Sequence, residues 1–352
     1  MIASLTPVIS TNRPEPESAA LCARADGIRR VGQAVALAFA GAPLIALSQS
    51  AAVPGLPAKT IQIIVPNAPG GGPDVLARLI APKLTESLKQ NVVVENRPSV
   101  NGIVAAEFVA RAIADGTIIG MGNTGTHAIN ATLYRKLPYD PVRDFAPVSE
   151  LVTACVVLVA NPRLGVSTIT ELNAEAKKAP GKLNIAIPGA HGEVAIAALK
   201  LRAGIDMKNI PYKGGGPASI AVLSNEVQML ITNYTVVAQH IEAGKLKLLG
   251  TTSAKRSSQL PHIPTIAESG GLDGYAAEMW YGMFVPAKTP PAVVQALSRE
   301  VVRIVQLPDV KDKLHATGHD IVGTTPTEFT EKVKRETEMY RSIILDSGME
   351  LL

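Results

Sequence analysis

The most constraining feature of this chain is a local design that occurs twice. An apolar run ends in proline and glycine, and a helix starts at once. The first copy is IIVPNAPGGGPD, residues 63–74, leading into DVLARLIAPKLTESL; the second is NIAIPGAHGE, residues 184–193, leading into EVAIAALKLRAG. A run apolar on every position suits a strand buried on both faces, glycine permits the sharp turn, and a 3.6-residue apolar period suits the helix. The pattern continues around each copy. NVVVEN, TIIGMGN, MKNIPY, VQMLIT and LKLLGTTS read as strands, and GIVAAEFVARAIA, STITELNAEAKKAPG, GGGPASIAVLSN and VVAQHIEAG as helices or turn-helix units. Strands alternating with helices predict an α/β fold with parallel or mixed sheets flanked by helices.

The chain has 352 residues, which suggests two domains rather than one. Two further segments are read as strands crossing between them: LVTACVVLVANP, too long for one ordinary strand, and MWYGMFVPA. The division that follows is lobe one over residues 57–156 plus 278–352 and lobe two over 157–277. YRKLPYDPVRDFAPVS reads as an ordered loop. The C-terminus reads as helices, the last opened by Thr325, Pro326 and Glu328 in capping-box spacing.

Residues 1–52 read as a secretory signal region, to be set aside from the fold. Arg24, Arg29 and Arg30 precede an apolar stretch from Val31 to Leu47, and Ser48, Ser50 and Ala52 supply small residues for cleavage. The stretch is broken by glycine and proline and is short for a permanent span, which needs roughly 20 apolar residues. The expected location is the periplasm. Beyond this region only Cys155 remains, so no internal disulfide is available, and its apolar surroundings point to packing rather than reactivity. Residues 1–52 hold four of the 34 basic and three of the 30 acidic residues, which leaves a mild net charge of +3. No basic run or patch is present, so nucleic acid is not an expected partner.

The two glycine turns are where chemistry is expected. A helix start presents unpaired N–H groups and partial positive charge, and glycine lets a ligand approach the backbone. Each turn therefore suits one carboxylate, and two turns facing one another suit a dicarboxylate held at both ends. PYKGGGPAS, carrying Lys213, is a third turn of this kind. Gly70, Gly71 and Gly72 lack dinucleotide spacing and no phosphate-loop lysine follows. No nucleophile elbow or zinc helix motif occurs, and His191 with Glu193 makes a poor metal pair. No cofactor, metal or catalytic role is expected. Trp280 and Tyr281 read as core, and His127, His240, His262, His315 and His319 as surface or packing histidines, of which His127 alone is placed near the cleft.

Seven motifs in order resemble one family: IIVPNAPGGGPDVLARLIAPKL, VVVENRPS, ADGTIIGMGNTGTHAIN, LYRKLPYDPVRDFAPVS, NIPYKGGGPA, HIEAGKLKLLGTTSAKRSSQLPHIPTIAESG and WYGMFVPAKTP. They are similar to the Bug family, the extracytoplasmic receptors of tripartite tricarboxylate transporters, from about residue 57 onward. The resemblance implies a type II periplasmic-binding-protein fold: two lobes joined by crossing strands and closing on a small carboxylate. It places ligand contacts on the first loop at Asn67, Gly70, Gly71 and Asp74, and after the third strand at Thr124 and His127. In the second lobe it places them at Gly189, His191 and Gly192, at Tyr212 and at Thr232 and Asn233. It implies the transporter's membrane subunits as partners, with a membrane sensor kinase as the alternative, and a monomer. The second jaw departs from the family pattern. Ile185 and Ile187 replace a tyrosine and a serine, His191 and Gly192 stand where glycine and a hydroxyl are usual, and Thr232 is followed by Asn233 where aspartate is usual.

Overall fold

Buried apolar runs must find partners for their own N–H and C=O groups. In the computed structural model, which describes residues 55–212 and 214–352, they find them in two sheets. β1 (Ile61–Val65), α1 (Gly72–Leu88), β2 (Val92–Asn96), α2 (Ile103–Ala110) and β3 (Ile118–Asn123) follow the expected alternation, with β1 parallel to both β2 and β3. α1 carries Pro73 in its first turn, where the missing N–H costs nothing, and turns Leu76, Ile80 and Leu84 into the core. A π-helical turn (Gly125–Ile129) and the short α3 (Asn130–Leu133) follow.

β4 (Phe145–Ala154) starts earlier than the sequence suggested. The segment expected to be loop as far as Ser149 becomes strand at Phe145. Asp140 closes the preceding turn by accepting from the N–H groups of Val142 and Arg143, both at 2.9 Å, and Phe145 then enters an aromatic core. Pro147 is tolerated because the ladder shifts register opposite it, beside Phe284.

The apolar run LVTACVVLVANP is two strands in two sheets. Cys155 alone separates β4 from β5 (Val156–Ala160). Its N–H donates to the Gly318 carbonyl at 3.0 Å and its carbonyl accepts from Tyr234 N–H at 2.8 Å, so both sides of this crossing are pinned. The second lobe then runs α4 (Ile169–Lys178), β6 (Asn184–Ile187), α5 (Ala190–Ala203), β7 (Lys208–Pro211), α6 (Gly215–Leu223), β8 (Met229–Asn233), α7 (Tyr234–Glu242), β9 (Lys247–Thr251) and α8 (Ile266–Gly270). β6 is parallel to β7 and β8, while β5 is antiparallel to β8 and β9.

β10 (Met279–Pro286) corrects the second crossing. It was read as a strand passing between lobes, but it lies wholly in the first sheet, antiparallel to β3 and β4. Buried along nearly its whole length, it pairs with strands of one sheet only, and the passage itself is the non-strand chain just before it. α9 (Pro291–Val305), α10 (Pro308–Ala316), the brief β11 (His319–Ile321) and α11 (Pro326–Asp346) complete the first lobe. The capping box at Thr325 and Glu328 forms. α11 buries Phe329, Val333, Tyr340 and Ile344 and packs on β4 and also on α5 of the second lobe.

The sheet orders are β11-β4-β10-β3-β1-β2 and β7-β6-β8-β5-β9. Each has three parallel strands, and the strand arriving from the other lobe is inserted antiparallel beside them. The fold is the expected α/β architecture of two mixed sheets flanked by helices.

Candidate functional site

In a parallel βαβ layer, strand ends and helix starts converge on one edge, where ligands of open α/β sheets bind. Here two such edges meet across a cleft of about 360 Å³. The first lobe supplies Pro66 and Asn67 after β1, Gly72 and Pro73 opening α1, Asn101 and Gly102 before α2, and Asn123 and Gly125 after β3. The second supplies Pro188 to Gly192 before and within α5, Gly215 opening α6, and Thr232 and Asn233 before α7. Val156, Met279 and Tyr281 line it from the crossing side.

The helices that start here lack a side-chain cap at the N-cap residue itself, although Ser99 Oγ accepts from Val104 N–H in the first turn of α2 at 3.1 Å. The N-cap residues of α1, α2, α5 and α6 are Gly71, Gly102, Gly189 and Gly214, and none of them, nor Asn233 before α7, makes a side-chain cap. Away from the cleft, α4, α8 and α11 are each capped by a threonine hydroxyl, from Thr168, Thr265 and Thr325, while α9 and α10 have no side-chain cap. Uncapped starts leave N–H donors and the positive ends of helix dipoles for a ligand. No lysine or arginine lines the cleft among the described residues. The polar side chains that do are neutral amides, hydroxyls, one imidazole and one phenol.

Glycine is needed at three of these points for space. A Cβ on Gly72 would stand 2.8 Å from Tyr281 Oη, one on Gly215 would stand 2.7 Å from Thr232 Oγ1, and one on Gly102 would stand 2.7 Å from Thr126 Cγ2. The first backbone is thereby laid against a phenol and the second against a hydroxyl, both facing the cleft.

Six of the residues singled out in the sequence line the cleft: Asn67, Gly189, His191, Gly192, Thr232 and Asn233. His191 is 7% exposed, and its Nε2 lies 3.1 Å from the Glu278 carbonyl. A carbonyl only accepts, so Nε2 carries the proton. Burial pushes the imidazole down to about 4, so it is neutral at neutral pH.

Gly70, Gly71, Asp74, Thr124, His127 and Tyr212 do not line it. Asp74 is buried behind the first loop, where it takes Gly70 N–H at 2.8 Å, Arg78 Nε at 3.0 Å and Asn96 Nδ2 at 2.8 Å. Burial alone would raise its carboxyl, but the bonds from Arg78, Gly70 and Asn96 outweigh that and lower it. Asn96 also donates to the Asn67 carbonyl at 3.0 Å, so Asp74 acts as a buckle that holds Asn67 at the rim. Thr124 is fully buried; its Oγ1 donates to the Glu278 carbonyl and accepts from Trp280 N–H, both at 3.1 Å. His127 stacks on Phe284 at 3.7 Å between ring centres inside the first lobe, and burial lowers it to about 3. Tyr212 turns its hydroxyl to Glu226 at 3.2 Å. Lys213 and the signal region lie outside the described residues.

Sequence reasoning missed Tyr281, Asn101, Asn123, Gly72 and Gly215. The last four each close a strand or open a helix on the ligand edge, a positional signal readable from the alternation itself. Tyr281 alternates with Trp280 along β10: the indole enters the core and donates to Glu336 at 2.6 Å, and the phenol faces the cleft. Burial pushes the Tyr281 phenol up to about 12, partly offset by a bond with Asn233 of the other lobe.

Both lobes are tied at Glu278. Its carbonyl accepts from Thr124 of the first lobe at 3.1 Å, from His191 of the second at 3.1 Å and from Tyr340 of α11 at 3.2 Å. Its carboxylate shares Lys332, at 3.2 Å, with Glu150 at 2.7 Å.

Residues 76–349 match the model of the tripartite tricarboxylate transporter family receptor. The chain is 33% identical to Protein BugT of Bordetella pertussis over 298 residues, 84% of this chain and 91% of that protein. A solved Rhodopseudomonas palustris protein, Rpa4515 with adipate, superposes with a TM-score of 0.74 at 31% identity, covering 84% of this chain and 99% of that one. MatC from the same organism, with bound malate, gives 0.70 at 28% identity over 82% and 99%. The protein belongs to the tripartite tricarboxylate transporter receptor family and is a solute-binding receptor of the kind that its solved relatives represent.

Proposed function

We propose that the chain captures a small carboxylate in the interlobe cleft and delivers it to the membrane subunits of a tripartite transporter. The carrying observation is the set of glycine-opened helix starts that converge on the cleft from both lobes. Backbone donors and helix dipoles bind carboxylates without a cationic side chain. Having such starts on both jaws favours a dicarboxylate, one carboxylate to each. Solved relatives carrying adipate and malate support the same class. Closure follows because a ligand held by both jaws favours the form in which both touch it. The signal region at residues 1–52 directs export to the periplasm, where the receptor works as a monomer.

A thermal-shift and calorimetric screen tests this, with adipate, malate, citrate, glutamate and an aromatic acid as ligands. A ligand at about 100 times its Kd adds about 2.7 kcal/mol of stability. At least one dicarboxylate should give that response, and a flat response across the set overturns the proposal. Recovery of the two transporter subunits with the ligand-loaded receptor tests delivery.

A further inference from the structure

Lys332 is surrounded by more carboxylates than one ammonium can neutralise. Its Nζ lies 2.7 Å from Glu150 Oε1, 3.2 Å from Glu278 Oε2 and 3.6 Å from Glu336 Oε1. These acids come from β4, from the crossing chain just before β10 and from α11. Glu150 and Glu336 are buried, so water screens little of their repulsion. Other groups nearby do not restore the balance. Arg335 of α11 acts on Glu150 only through space. The phenols of Tyr340 and Tyr275 are raised by burial and stay neutral, as does the imidazole of His191.

Carboxylates crowded into one site keep a proton between them. Burial pushes Glu336 up to about 7, against the pull of Lys332 and the Trp280 bond and helped by Glu278 and Glu150. Burial raises Glu150 as well, so the proton belongs to the cluster rather than to one carboxyl.

The cluster sits where the lobes are joined. The Glu278 carbonyl holds Thr124, His191 and Tyr340, and its carboxylate also takes a long bond, 3.4 Å, from Ala254 N–H of the second lobe. Glu278 is 27% exposed against 1% for Glu150, so it is the member free to turn toward water when charge builds up.

We propose that Glu150, Glu278, Glu336 and Lys332 form a proton switch on the crossing chain: with one shared proton the cluster keeps Glu278 on Lys332 and the lobes tied, and loss of that proton turns the Glu278 carboxylate out and loosens the tie. None of the four lines the cleft, and the switch operates without a ligand.

Trp280 is the chain's one tryptophan, and its Nε1 donates to Glu336 Oε2 at 2.6 Å, so its fluorescence reads the cluster directly. Emission of the ligand-free full chain should show a single-proton transition near pH 7. Glu336→Gln keeps an oxygen for the indole and should abolish the transition. Glu150→Gln leaves Glu336 in place and should move the transition to lower pH, a shift that a purely packing role for Glu150 does not give. The folded chain keeps a proton that the unfolded chain releases above the ordinary value of 4.5. Stability should therefore fall as pH rises from 4.5 to about 7, the unfolding constant of the parent relative to Glu336→Gln rising up to about tenfold per pH unit. Small-angle scattering reads the tie: the radius of gyration of the parent should be larger at about pH 8.5 than at about pH 6, and that of Glu336→Gln the same at both. A flat emission titration, or a transition that Glu336→Gln keeps, overturns the proposal. So does a radius that ignores pH, which leaves a buried proton with no hold on the lobes. If circular dichroism finds Glu336→Gln unfolded, Glu150→Gln decides, and an unmoved transition overturns the proposal.

Discussion

The two jaws of the cleft are made alike and supported differently. Each is a strand end, a glycine turn and an uncapped helix. The first-lobe loop is held from within its own lobe, because Asp74 gathers Gly70, Arg78 and Asn96, and Asn96 holds Asn67. The second-lobe loop reaches outside its lobe: His191 bonds to Glu278 on the crossing chain, at a carbonyl also held by Thr124 and Tyr340. One jaw is shaped independently of the crossing chain, and the other is shaped through it. A side chain that lines the cleft can therefore also bond to the crossing chain, as His191 does.

Substitutions in each jaw can break or sharpen this contrast. The largest effect is expected from Gly72→Val, because even a Cβ there meets Tyr281 Oη at 2.8 Å. Overpacking of this kind typically costs about 1–3 kcal/mol, so carboxylate affinity measured by calorimetry should fall up to roughly a hundredfold. Retained affinity would remove α1 from the binding surface. His191→Ala removes one donor from the Glu278 carbonyl and one cleft side chain. Carboxylate binding should weaken about tenfold, and unfolding stability should drop by about 1 kcal/mol. Affinity and stability should move together, since one residue serves both.

In the first jaw the two should separate. Asp74→Ala strips charge-assisted bonds from a buried loop and should cost about 1–3 kcal/mol in denaturant unfolding, with a smaller effect on affinity through Asn67. Its pH dependence follows from the lowered carboxyl. The stability Asp74 contributes is complete above the ordinary aspartate value of 3.8 and is lost as pH falls through its lower folded value. The difference between parent and variant should therefore be flat from pH 8 to 5 and shrink in stronger acid. The smallest effect is expected at Thr325→Ala, far from either jaw. It should cost about 1 kcal/mol by thermal unfolding and leave carboxylate affinity unchanged. A binding loss there would mean that α11 transmits to the cleft.

Much of the fold was legible because its signals are local. Apolar runs such as IQIIV and VVLVA mark buried strands, threonine three residues ahead of glutamate marks the start of α11, and glycine turns mark the ligand edge. The misreadings arose where a local pattern has two three-dimensional outcomes. MWYGMFVPA is equally apolar whether it crosses between lobes or lies within one sheet, and Phe145 looks like loop until its partners on β10 are known. The site divides in the same way. Asn67, His191 and Asn233 stand at turn positions and were found there; Asp74 and His127 stand at similar positions and point elsewhere.

The sequence by itself determined where the chain turns and which helices open on glycine or on a capping hydroxyl, because glycine, capping hydroxyls and periodicity act over a few residues. Only the tertiary structure decided which side chains face the cleft. Whether Asp74 meets the cleft or a neighbouring loop, and whether the buried Tyr281 also borders the cleft, depends on strands brought together from distant parts of the chain. Burial, hydrogen-bond partners and protonation are properties of that assembly, and no short run of residues encodes them alone.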